Sequence, residues 1–218
     1  MRPVQVEYFL SLASPWAYLG SARIEAIAAR HGAALRPSPV DFSVIFPESG
    51  GLPLARRAPQ RQAYRLLELR RWRDFLGVPL VLQPQAFAMD KGPMDEGPMD
   101  EGLIAAACIA LRERHGDARC VALAHRLMRA LWAEDRAPAE PGTFAALAAE
   151  CGEDGAALLA EAPACLARRR ADSEAALARG VFGAPSYVIE GEIFWGQDRL
   201  DFWGQDRLDF VARRLGGA

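Results

Sequence analysis

The spacing of hydrophobic positions changes period twice along the 218-residue chain. Residues 4–10 (VQVEYFL) are rich in the β-branched and aromatic side chains that favour a strand. Apolar residues then recur at helical spacing through Trp16, Gly20, Ile24 and Ile27, which predicts a helix over 15–30 closed by His31-Gly32. A second strand is predicted over 34–40, completing a βαβ unit. Prolines and glycines at 46–53 predict a loop without regular structure. From about Pro59 to Arg179 the pattern is helical throughout, with helices expected at 60–76, 103–114, 118–133, 143–150 and 163–179. Gly77-Val78-Pro79 should stop the first of these. Strand character returns at 186–189 and 192–195, where Glu190-Gly191 predicts a tight hairpin, and a last helix runs to about Leu215.

Composition narrows this picture. With 51% hydrophobic residues the chain can bury a full core, as one domain or as a domain carrying an insertion. A net charge of −2 argues against a general binder of nucleic acid or membrane surfaces. Lys91 is the only lysine, so almost all positive charge is arginine. No basic segment followed by a long apolar run opens the chain, and the longest apolar run, 103–111, is too short to span a bilayer. The expectation is a soluble cytoplasmic protein.

Cys108, Cys120, Cys151 and Cys165 form no C-x-x-C pair, and the spacing of His31, His115 and His125 is unlike that of zinc ligands. Free, buried or half-buried thiols in helices are expected, with His115 and His125 near helix ends or on polar faces. Two short segments are duplicated in tandem: 92–96 (GPMDE) recurs at 97–101, and 194–201 (FWGQDRLD) at 202–209. Neither is long enough to be a stacking structural repeat, so both read as local duplications.

Four places could carry chemistry. Ser14-Pro15 stands where the first strand meets the first helix, and its plain reading is an N-cap followed by a proline at the first helical position. Gly183-Ala184-Pro185-Ser186 precedes a strand, where an ordinary turn is the plain reading. Gln197-Asp198, or its copy Gln205-Asp206, could cap the last helix, and Arg61 is one arginine among many. Taken together they suggest more. A redox protein of the thioredoxin type carries C-P-x-C at the strand–helix junction, whereas this chain has Ser14-Pro15-Trp16-Ala17 and cannot form that disulfide. A helix N-terminus offers unpaired N–H groups and partial positive charge, which suit the thiolate of a bound external thiol.

On these residues the chain resembles the bacterial 2-hydroxychromene-2-carboxylate isomerases. That family is similar to kappa-class glutathione transferases and more distantly to periplasmic disulfide oxidoreductases. The resemblance rests on VEYF at 6–9 with SPWAYLG at 14–20, on RQAY at 61–64 with ELRRW at 68–72, and on VFGAPS at 181–186 with FWGQDRL at 194–200. It implies an α/β, thioredoxin-like fold with a helical domain inserted between its βαβ and ββα halves. Residues 1–45 and 180–218 would form the glutathione-binding domain and 46–179 the insert.

By the same resemblance Ser14 is the catalytic serine at the glutathione sulfur. Pro185 is the cis-proline, and the Ala184 backbone pairs with the cysteinyl part of glutathione. Trp16 lies beside the cofactor, Arg61 near a carboxylate of the tripeptide, and Gln197 and Asp198 at its γ-glutamyl end. The activity implied is glutathione-dependent interconversion of 2-hydroxychromene-2-carboxylate and trans-o-hydroxybenzylidenepyruvate, an aromatic carboxylate substrate, by a homodimer. A kappa-like transferase conjugating small electrophiles is the alternative, and a non-catalytic thioredoxin-like binding module a more distant one. The chain departs from the family pattern in having Ser11 where an acidic residue often stands three before the serine.

Overall fold

A computed structural model of the chain describes residues 3–87, 101–197 and 207–216. The elements run β1 (Gln5–Leu10), α1 (Pro15–Arg30), β2 (Ala34–Pro39), α2 (Phe42–Ser49), α3 (Pro59–Leu76), α4 (Gly102–His115), α5 (Asp117–Glu134), α6 (Pro141–Glu150), α7 (Gly155–Ala178), β3 (Ser186–Ile189), β4 (Glu192–Trp195) and α8 (Arg207–Gly216). One mixed sheet has the order β2-β1-β3-β4, with β1 parallel to β2 and antiparallel to β3. The expected βαβ start, helical block and ββα end are all present.

Strand alternation explains the two sides of the sheet. Val6, Tyr8 and Leu10 of β1 join Tyr187 and Ile189 of β3 in the larger apolar core, with side chains from α1, α4 and α5. Phe9 and Val188 point the other way, into a smaller core with Ile45 of α2 and Ala176 of α7. Burial of so many apolar side chains, at about 25 cal/mol per Å², is the main term holding these layers together. Pro37 and Pro39 are tolerated in β2 because it is an edge strand. Arg112 of α4 covers that edge, donating to Pro37 O at 2.8 Å and pairing with Asp172 of α7 at 2.8 Å.

The predicted turns behave as their chemistry requires. Gly77 ends α3 at φ 63°, and the hairpin residues Glu190 and Gly191 take φ 50° and 86°, the two positive values a tight primed turn needs. Two proline signals mislead. The stretch 46–53, expected as loop, contributes its first residues to α2, which Asp41 caps by accepting from Ser43 N at 2.9 Å. Helix α7 does not begin at Pro163. It begins at Gly155, capped by Asp154 accepting from Ala157 N at 3.0 Å. Pro47 and Pro163 both lie on exposed helix faces, where water can satisfy the carbonyl each proline leaves unpaired.

Cys108, Cys120 and Cys165 are buried in helices and Cys151 is half-buried at the end of α6, all as free thiols. His115 closes α4, as expected. His125 is a correction: it is buried in the middle of α5, edge-on to Tyr8 at 5.8 Å and paired through Nδ1 with Glu25. Among the described residues no helix is long and apolar enough to cross a membrane.

Candidate functional site

The junction of β1 and α1 is built by local rules. Ser14 has extended backbone (φ −88°, ψ 116°), and its Oγ accepts from Ala17 N at 3.2 Å, closing the first turn behind Pro15. Ser14 N donates to Ser11 O at 3.1 Å, which folds the connection tightly. The Ser14 hydroxyl also reaches the other half of the sheet, donating to Ala184 O at 3.4 Å. That bond is longer than an ordinary O–H···O contact, so the proton is only loosely committed. The Ala184–Pro185 peptide is cis, Pro185 O accepts from Gly196 N at 2.8 Å, and Ser186 Oγ donates to Gly183 O at 2.7 Å. Residues 14 and 184–185 are therefore neighbours although far apart in sequence.

A cavity of ≈ 630 Å³ opens in front of this contact. Ser14, Trp16, Arg61 and Ala184 all line it, so four of the expected site residues meet on one wall system. The aromatic pairs Phe42–Phe46 (5.1 Å) and Phe182–Trp195 (4.8 Å) line it too. Gly183 permits the second pair: a Cβ there would stand 2.2 Å from Trp195 Nε1. Arg57 and Arg65 join Arg61 in the lining. Burial and the neighbouring Arg61 charge lower the Arg57 pKa, and burial followed by the Arg57 charge lowers that of Arg65 to about 10. No acidic side chain lines the cavity among the described residues.

Pro185 is buried and is not among the residues that line the cavity. Gln197 is not part of it: its side chain is fully buried against α1, where Arg23 Nη1 donates to Gln197 O at 3.2 Å and to Oε1 at 3.4 Å. Gly20 makes room, since a Cβ there would meet Gln197 Cβ at 2.8 Å. Asp198, like the second copy Gln205-Asp206, lies outside the described residues.

One group at the site escaped sequence reading. Glu101, just before α4, is half-buried, and its Oε2 accepts from Ser11 Oγ at 3.0 Å and from Ala13 N at 2.9 Å. Its Oε1 accepts from Arg169 Nη2 at 3.2 Å, while Arg169 also pairs with Asp41 at 3.2 Å. Burial raises the Glu101 carboxyl pKa, against the opposing pull of Arg169, the Ala13 N–H and the Ser11 hydroxyl. An acidic group thus stands beside the residues preceding Ser14, supplied by a distant helix rather than by position 11. Nothing in the local sequence signals it, because Glu101 falls in one copy of a duplicated acidic pentapeptide.

The family model for the DSBA-like thioredoxin domain matches residues 5–216. The chain belongs to that family. It is also similar to a 2-hydroxychromene-2-carboxylate isomerase of Sphingobium xenophagum, 28% identical over 199 residues, covering 90% of this chain and 94% of the relative. Among solved structures it is similar to a 2-hydroxychromene-2-carboxylate isomerase (TM-score 0.76, 23% identity, 98% of each chain). It is likewise similar to the cytosolic disulfide reductase DsbM of Pseudomonas aeruginosa with GSH (TM-score 0.64, 22% identity, 98% of this chain and 100% of that one). The fold is the thioredoxin-like α/β fold with additional helices between its βαβ and ββα halves. Ser14 and Ala17 stand at the junction where a disulfide oxidoreductase of this type carries its cysteines, and none of the four thiols lines the cavity.

Proposed function

We propose that the protein is a glutathione-dependent isomerase that interconverts 2-hydroxychromene-2-carboxylate and trans-o-hydroxybenzylidenepyruvate. One observation carries the reading: a serine hydroxyl, with no sulfur beside it, stands at a helix N-terminus, loosely bonded to Ala184 O, at the wall of an aromatic-lined cavity. Such a hydroxyl can turn its proton towards an external thiolate, and the partial positive charge at the N-terminal end of α1 favours negative charge at the same place. The curated relatives of that name, 25–28% identical over about nine-tenths of the chain, support the reaction class. The glutathione-bound reductase supports the reading only in that this fold can carry the tripeptide.

In this reading Ser14, Trp16, Ala184 and Pro185 hold the cysteinyl part of glutathione and Arg61 faces one of its carboxylates. Asp198 is assigned its γ-glutamyl end, whereas Gln197 is buried under α1 and does not line the cavity. When bound, glutathione supplies a thiolate that adds reversibly to the conjugated substrate, so that a double bond is single long enough to rotate. Ser14 stabilises the thiolate by hydrogen bonding, and Trp16, Phe182 and Trp195 exclude water from the aromatic substrate. Residues 1–45 and 180–218 act as the glutathione-binding unit and 46–179 as a helical insert that walls the substrate side. A homodimer in the cytoplasm completes the proposal. The test follows chromene absorbance with and without glutathione while total thiol is measured. Turnover that requires glutathione yet leaves it constant supports isomerisation. Depletion assigns conjugation instead, and turnover indifferent to glutathione overturns the reading.

A further inference from the structure

Several partly buried arginines among the described residues are paired with carboxylates. Arg112 meets Asp172 at 2.8 Å, Arg169 meets Asp41 and Glu101 at 3.2 Å, and Arg126 meets Glu150 at 2.6 Å and Glu134 at 2.9 Å. Arg57, Arg61 and Arg65 are different. They share one cavity, and none of the ion pairs among the described residues includes them. Arg57 Nε donates to Leu52 O at 2.9 Å, a contact that holds the side chain without neutralising it. Arg65 stands 5.8 Å over the ring of buried Trp132, a contact that orients the guanidinium without neutralising it.

Three like charges beside one cavity repel one another, and half-buried Arg57 and Arg65 give up hydration to be there. A surface role does not require that arrangement, whereas an anionic ligand would offset it. Trp16, Phe42, Phe46, Phe87, Phe182 and Trp195 add aromatic surface to the same lining. One carboxylate of a bound tripeptide would occupy only Arg61, the exposed member of the three. Arg57 and Arg65 are half-buried and have no carboxylate partner among the described residues.

We infer that Arg57 and Arg65 bind the carboxylate of an aromatic acid in this cavity, and that Arg65 is its main specificity-determining residue. The inference rests on the reading of the cavity as the substrate site and deepens it, but it does not rest on the reaction. A planar guanidinium can grip a carboxylate through two parallel hydrogen bonds while the aromatic walls take the ring.

The experiment is calorimetric binding of 2-hydroxycinnamate and of its neutral amide, 2-hydroxycinnamamide, to the full chain without turnover. The wild type should prefer the acid by about tenfold or more, as a charge-assisted hydrogen bond warrants. Added salt should shrink that preference. Arg65→Met should remove most of it while leaving amide affinity within about twofold, and Arg57→Met should remove a smaller part. Arg65→Lys keeps the charge without the fork and should recover part of it. If Arg65→Met does not fold, the lysine variant and the salt series decide. Equal binding of acid and amide, binding of neither, or a preference untouched by all these changes overturns the inference. Preference for the acid in a protein that does not turn over the chromene would overturn the proposed reaction alone.

Discussion

Substituting Ser14 separates two roles that one hydroxyl plays. As N-cap it accepts from Ala17 N at 3.2 Å, and as donor it reaches Ala184 O at 3.4 Å. Ser14→Ala removes both; Ser14→Gly removes the hydroxyl but leaves a residue type that caps nearly as well. The cap bond is worth about 1 kcal/mol, and for a chain of this length that corresponds to a fall in Tm of about 2–4 °C. Ser14→Gly should lose only a few tenths of a kcal/mol. The long bond to Ala184 O adds little, and Tyr18 N still reaches Ser14 O at 3.1 Å through the backbone in either variant. The thiolate effect should be the same in both. A hydrogen bond to a charged acceptor contributes about 1.5 kcal/mol or more, and one pKa unit is 1.36 kcal/mol, so the bound thiol should rise by about one unit. Thermal melts give the first quantity, and ultraviolet titration of the thiolate in saturating glutathione gives the second. A glutathione pKa unchanged in both variants would take Ser14 out of the chemistry and leave it a helix cap.

Three further outcomes are expected. Glu101→Ala strips Ser11, Ala13 and Arg169 of an acceptor and leaves a buried guanidinium with only Asp41 and Val40 O, so a loss of about 3 kcal/mol or more should appear in denaturant unfolding. Glu101→Gln should change the pH dependence instead. Because the folded pKa of Glu101 is raised, its stabilising share is full below about pH 4 and is lost as pH climbs towards the folded value. Wild type should therefore lose stability relative to Glu101→Gln over that range, and a constant difference would contradict the burial argument. Gly183→Ala would place a Cβ 2.2 Å from Trp195 Nε1, so the indole must move. An overpacking cost of about 1–3 kcal/mol in unfolding, with weaker binding of aromatic ligands, should follow. Burial pushes the Cys108 thiol well up and that of Cys120 to about 12, so both should resist a thiol-labelling reagent until the chain unfolds, while half-buried Cys151 reacts first.

What was legible in the sequence was local. Ser14-Pro15 states a helix start, Gly77 a helix stop and Glu190-Gly191 a hairpin, because each is decided by the backbone preferences of adjacent residues. Alternation along β1 likewise declares a strand with two working faces, and the structure uses both. The proline rule failed at Pro47 and Pro163 because it treats every helical proline alike. Whether a proline faces water is set by packing against other elements, and both of these do. His125 was misplaced for a related reason: its neighbours Tyr8 and Glu25 come from β1 and α1.

The order of elements, the sulfur-free junction at Ser14 and the residue types available there follow from neighbouring residues alone. Which of those residues meet is a matter of packing. It set Ser14 against Ala184, turned Gln197 away under α1, collected Arg57 and Arg65 beside Arg61, and brought Glu101 to Ser11 across 90 positions of chain. Those pairings depend on how helices of the middle block dock on the sheet, and no short-range preference encodes a contact between groups so distant in sequence.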